Sequence, residues 1–265
     1  MKKISCILLL SSTLLLQAQH AKKPDGADGR HTAYRVGEFL RYRIHYGILK
    51  AGFANLTLVA DTTNGKVYIH AQVYGYSTGL VRLFFKVADR YETYIEPDNP
   101  WPKRFVRQIH EGRYTKNVII DFRQDDRIAT VQDIKKNTVA QFYLQTKVQD
   151  MISAFYFLRS VEESRLRIGA ELALNLFFDN RSYPFKLKVL AADRIKTRFG
   201  RINCLKVRPV VVDGRVFKDR EGVSIYVSRD ENRIPIHIEA KLSAGALRAD
   251  LVAFKNLAHP IRFSK

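Results

Sequence analysis

Cysteine is scarce: two residues in 265, Cys6 and Cys204. Two thiols allow at most one disulfide, which excludes a disulfide-stapled scaffold. Two Met residues exclude a Met-rich, adaptable binding face. Beyond residue 19 no segment approaches the roughly 20 apolar residues of a membrane-spanning helix. Catalytic signatures are missing too. There is no Gly-x-Ser-x-Gly elbow, no His-x-x-x-His, no phosphate loop and no dinucleotide fingerprint. Nothing in the pattern asks for a cofactor or a metal, so a non-enzymatic role is expected. Acidic residues are outnumbered, 26 Asp and Glu against 45 Lys and Arg, for a formal net charge of +19.

What is present is an ordinary globular balance of 46% hydrophobic and 27% charged residues, which excludes wholesale disorder. The length suffices for a core without staples. Residues 1–18 read as a secretory signal peptide. Lys2 and Lys3 precede the apolar run Ile4–Leu16, and small Ala18 offers cleavage before Gln19. Cys6 precedes the apolar run, whereas a lipidated Cys follows it. Cleavage would leave Cys204 alone and a mature charge of 19 − 2 = +17. Residues 19–33, with Pro24, Gly26 and Gly29, read as a flexible lead-in, and 34–265 as one β-rich domain.

Period-two alternation dominates that domain. Leu40, Tyr42 and Ile44 alternate with Arg41 and Arg43; Leu172, Leu174, Leu176 and Phe178 with Glu171, Ala173 and Asn175; Val223, Ile225 and Val227 with Ser224 and Tyr226. Asn64-Gly65, Glu111-Gly112, Phe199-Gly200, Asp213-Gly214 and Asp230–Arg233 separate the strands as turns. About a dozen strands with short connections predict an all-β, mostly antiparallel fold: a strongly curved sheet or half-open barrel.

Two segments break the alternation. Thr78–Lys86 and Asp150–Arg159 carry apolar residues at helical spacing, with Ser77 or Thr78 and then Asp150 as caps. Two accounts stand for both helices: they complete the core of the sheet, or they plug an incompletely closed barrel. Val36-Gly37-Glu38-Phe39-Leu40 and Ile168-Gly169-Ala170-Glu171-Leu172 each open a strand, suggesting a weak pseudo-repeat of 34–148 and 165–258.

Individual chemical candidates are few. Glu92 and Glu96 share a strand face, as a carboxylate pair would, but surface Glu is the commoner case. His45, His70 and His110 fall on the wetter strand positions. Cys204, in a strand-like run, reads as a buried small hydrophobe rather than a reactive thiol. Arg on alternating strand positions forms basic stripes suited to phosphate or carboxylate. With export, nucleic acid gives way to lipid headgroups or other anionic envelope components as the expected partner. Arg41, Arg43 and Arg107 are the candidate rim for such an anion. Tyr42, Tyr46, Tyr68, Tyr74 and Tyr76 suit either sheet packing or the wall of an apolar cavity.

Val36–Gly52, Asp150–Arg159, Val223–Ile238 and Lys241–Leu251 together resemble an exported bacterial family catalogued as domain-of-unknown-function family 3108. The resemblance spans about residues 34–258 and implies an exported β protein; it carries over no catalytic residues. A weaker, fold-level likeness is to the periplasmic lipoprotein carriers, whose curved, half-closed sheet has helices over its mouth. The expected function is binding of a lipid-like or amphipathic anionic ligand in a concave sheet, in the periplasm or outside the cell. The alternative is an envelope scaffold that docks a protein partner.

Overall fold

The computed structural model describes residues 33–211, 222–242 and 245–264. The signal-peptide segment, nearly all of the lead-in and the Asp213-Gly214 turn lie outside the described residues.

The described residues form an all-β fold with fourteen antiparallel strands in a single sheet. The first half runs β1 (Phe39–Tyr46), β2 (Leu49–Thr63), β3 (Lys66–Ser77), α1 (Gly79–Phe84), β4 (Ala88–Glu96), β5 (Asn99–Glu111), β6 (Tyr114–Arg123), β7 (Ile128–Asp133) and β8 (Thr138–Tyr143). After α2 (Met151–Arg159) and a 3-10 turn (Glu163–Arg165) come β9 (Glu171–Phe178), β10 (Arg181–Thr197), β11 (Gly200–Val211), β12 (Val223–Ser228), β13 (Pro235–Leu242) and β14 (Gly245–Lys255). The sheet order is β8-β7-β6-β5-β4-β3-β2-β1-β14-β13-β12-β11-β10-β9. Each half is a meander, and the halves join where β1 pairs with β14.

The sheet is strongly curved and does not close. Phe177 on edge strand β9 packs against Phe122 of β6 and Phe142 of β8, strands from the opposite end of the sheet. Between β8 and β9 the chain is carried across by the segment leading to α2. There Gln149 donates to the Asn175 carbonyl at 2.7 Å and accepts from the Phe177 amide at 2.9 Å.

Alternation places one face of each strand inside this curve. Phe105, Val118, Ile120, Phe122, Ala129 and Val131 form the core of the first half. Leu40, Tyr42, Ile236 and Leu251 fill the region of the seam. Asn64 and Gly65 both have positive φ, 52° and 74°, as the expected two-residue hairpin requires. Residues 138–143, with no clear alternation, form the edge strand β8, and β10 is longer than the run 194–198 suggests.

The two helices part company. Asp150 caps α2 by accepting from the Ile152 and Ser153 amides, and Ser153 Oγ accepts from the Asp150 amide, completing a capping box. Tyr156 on α2 packs into Leu58, Ala71 and Ile95, a burial worth about 1.5–3 kcal/mol. The helix therefore does complete the core. The expectation fails for α1: it buries no residue, and Thr78 makes no side-chain cap bond.

The turns Arg35–Glu38 and Arg167–Ala170 are built alike. Gly37 and Gly169 adopt φ of 90° and 88°, a conformation that glycine supplies without strain. Each glycine amide donates, at 2.8 Å in both cases, to a buried residue two strands along, Leu58 or Val189.

Candidate functional site

A large concavity lies between α2 and the inner face of β9–β13. It has a volume of about 870 Å³. Its floor is built by alternation: Leu172, Leu176 and Phe178 from β9, Phe185 and Leu187 from β10, Leu205 and Val207 from β11, Ile225 and Val227 from β12. These are inward positions of successive antiparallel strands, so one apolar stripe continues into the next. Ala154, Phe155 and Leu158 of α2 form the roof, and Leu166 and Ile168 close one side. Phe177, pointing the other way from β9, belongs to the filled core of the first half. The concave space is thus packed on one side of β9 and open on the other.

The roof is fixed by a buried ion pair. Arg159 Nη1 and Nη2 donate to the two Glu38 carboxylate oxygens at 2.6 and 2.8 Å. Both side chains are nearly inaccessible, 3% and 1% exposed, and the buried charges are compensated because all three guanidinium nitrogens are engaged. Arg159 Nε donates to Asn232 O and Nη2 also to Ala33 O, each at 2.9 Å. Arg233 donates to the Arg159 and Val161 carbonyls, tying the C-terminal end of α2 to the β12–β13 turn. Asp230 organises that turn by accepting from Ser228 Oγ at 2.8 Å and from the Asn232 amide at 3.0 Å.

The mouth is charged. Glu162, Glu163, Arg167, Arg229, Glu231 and Arg262 border the cavity. Arg262 pairs with Glu231. Among the described residues, Arg167 and Arg229 are exposed and engage in no ion pair. The site therefore offers an apolar chamber whose mouth carries two arginines, Arg167 and Arg229, beside two exposed carboxylates, Glu162 and Glu163, none of the four held in an ion pair among the described residues.

The three expected rim residues lie elsewhere. Arg41 and Arg43 stand together on the convex face, with guanidinium carbons 4.2 and 5.8 Å from the Phe53 ring centroid. Arg41 also donates to Tyr76 Oη at 3.0 Å. Arg107 faces inward from β5 and pairs at 2.7 Å with Asp179 in the β9–β10 turn, where Lys116 also converges at 2.7 Å. Burial would raise the Asp179 carboxyl, but these two cations outweigh it and hold the group below its ordinary range. None of the three arginines lines the large cavity. Sequence reasoning missed Arg167 and Arg229, which sit in connections rather than on strand stripes.

The other chemical candidates are each locally engaged. Glu92 bonds His70 at 2.7 Å and Arg90 at 2.5 Å, while Glu96 faces Lys103 at 3.5 Å. Cys204 is 1% exposed, and burial pushes its thiol up to about 12, so it is a poor nucleophile. Among the described residues, no group of three or more His, Cys, Asp or Glu is placed to hold a metal. None of their helices is long and apolar enough to cross a membrane.

A family model described as "Protein of unknown function (DUF3108)" matches residues 41–252. The chain belongs to the DUF3108 family. The match takes in β1 from its third residue to most of β14, and hence the whole cavity floor and its α2 roof. No curated protein matches this DUF3108 chain. Among solved structures it is similar to a β-barrel-like protein of domain of unknown function DUF1849 from Brucella abortus. That similarity has a TM-score of 0.57 at 13% identity, covering 85% of the DUF3108 chain and 99% of the other. At that identity the likeness concerns the fold, and it agrees with a barrel-like sheet.

Proposed function

We propose that this DUF3108 protein is an exported, non-enzymatic binder of an amphipathic anionic molecule, lipid-like in having an apolar tail. The tail occupies the chamber between α2 and β9–β13, and Arg167 and Arg229 hold the anionic head. The observation that carries the reading is the open apolar cavity of about 870 Å³ beside an otherwise packed core. That volume falls in the range of ligand pockets, roughly 300–1,000 Å³, and a few placed charges in an apolar wall are their usual composition. Binding is driven by apolar burial, and the arginines select for charge.

The test is uptake of a fluorescent fatty acid by delipidated protein, with mass analysis of the organic extract of the protein as purified. Leu176→Trp and Ile225→Trp fill the chamber and are expected to abolish uptake while the circular dichroism stays unchanged. Arg167→Gln with Arg229→Gln is expected to weaken an anionic probe several-fold and leave its uncharged ester unaffected. No lipid in the extract and no saturable uptake by the parent protein would overturn the reading. Fractionation of cells expressing the full chain tests export; full-length protein retained in the cytoplasm would refute that part.

A further inference from the structure

One end of the sheet carries an apolar protrusion that the core does not use. The β1–β2 turn ends in Ile48, which is 97% exposed. Beside it, α1 presents Leu80, Leu83 and Phe84 at 67%, 78% and 88% exposure. These segments are neighbours by hydrogen bonding and not only by topology. Thr78, just before α1, donates to the Ala51 carbonyl at 2.9 Å, and Gly112 of the β5–β6 turn donates to the Lys86 carbonyl at 2.8 Å. Phe85 rests on Gly112, fixing the exit of α1 against that turn. Four large apolar side chains at the tips of adjacent connections serve no packing purpose in the isolated molecule.

The charge around the protrusion has one sign. Lys50 follows Ile48, Arg82 lies within α1, Lys86 follows it, and Arg113 sits in the adjoining β5–β6 turn. All four are exposed, and among the described residues none is engaged in an ion pair. Two acids stand at the base of these connections: Asp89 is buried and accepts from the His110 amide at 3.0 Å, and Glu111, just before Gly112, is half-buried. Apolar tips ringed by cations are the composition of a surface that enters an anionic lipid interface.

We propose that the β1–β2 tip and α1 dock this protein on an anionic bilayer, with Ile48, Leu80, Leu83 and Phe84 entering the interface. Lys50, Arg82, Lys86 and Arg113 lie at headgroup level. The proposal goes beyond the cavity reading and does not depend on it.

Co-sedimentation of the full mature chain with vesicles tests it. Binding is expected to vesicles of phosphatidylcholine with about 30% phosphatidylglycerol and to weaken with salt or on pure phosphatidylcholine. Ile48→Ser and Phe84→Ser each lower partitioning roughly tenfold. Arg82→Gln with Lys86→Gln lowers it roughly twenty-five-fold, about fivefold per charge. These positions are exposed, so unchanged melting temperatures keep the comparison valid. Leu176→Trp, which fills the cavity, leaves vesicle binding intact, so failure of the cavity reading is separately visible. Phe84→Trp adds a blue-shifted emission on vesicles that brominated acyl chains quench. Three results would overturn the proposal: no binding by the parent chain, binding undiminished in the serine variants, or lipid-independent dimerisation that Phe84→Ser abolishes.

Discussion

Asp150 is pulled two ways. Its carboxylate caps α2 and accepts from Thr93 Oγ1 at 2.6 Å, all of which favours the ionised form. It is also fully buried, and burial prevails: the group is pushed up to about 6. The folded state therefore holds this proton more tightly than the unfolded chain. The resulting stabilisation is complete below about pH 4 and is lost as pH rises through about 6, a swing of about 3 kcal/mol. Asp150→Asn keeps a capping oxygen and removes the titration. The Tm difference between Asp150→Asn and parent is expected to shift in favour of the variant from pH 4 to pH 7, by thermal melts across that interval. Arg159 makes the complementary case. Arg159→Met strands the Glu38 carboxylate and is expected to cost about 3–5 kcal/mol in urea titrations, whereas Arg159→Met with Glu38→Leu recovers most of it. The Asp150 cap was legible from residue type and local spacing. The Glu38–Arg159 pair was not, because its members are far apart in sequence and nothing local marks an Arg as buried.

At the scale of elements, alternation and turn chemistry made most of the meander readable. Leu172, Leu176 and Phe178 share one face as their spacing predicts, since the pleat alone decides that. The two helices show where local pattern stops. Both have apolar residues at helical spacing, yet α2 meets the concave sheet with Tyr156, while α1 sits at the end of a hairpin with no surface to cover. Amphipathicity states that a face is available, not what it meets. The β12–β13 turn was legible from Asp230 and Pro235, but its role in holding α2 was not. Asp230→Ala removes the acceptor for Ser228 Oγ and two turn amides. It is expected to cost about 1–3 kcal/mol and to speed proteolysis within 256–264, because Asn232 bonds His259 in that tail. Limited digestion followed by mass spectrometry reads this directly.

For the molecule as a whole, sheet class and family were legible, whereas the cavity was not. The same apolar stripe can pack against another stripe or face empty space, and only the curvature of the complete sheet decides. In this fold β9 separates the two outcomes, with Phe177 in the filled half and Leu176 in the open one. Cys204 in β11 offers a probe of global opening. Its thiol is expected to be inert to an aromatic disulfide reagent in the native protein and to label at the rate of unfolding as urea is added. Fast labelling in buffer would contradict its burial.

The seam between β1 and β14 has a kinetic consequence. Among the described residues, every other ladder between strands joins neighbours along the chain. Each such hairpin closes a short loop and can form early and independently. The pairing of Phe39 with Lys255 instead waits for the first and last strands to meet. That step dominates the contact order and is expected to limit folding. A circular permutant with β14 linked to β1, and new termini opened between the exposed residues Gln145 and Thr146, would convert the slow closure into one more local hairpin. Stopped-flow refolding should then show a faster main phase.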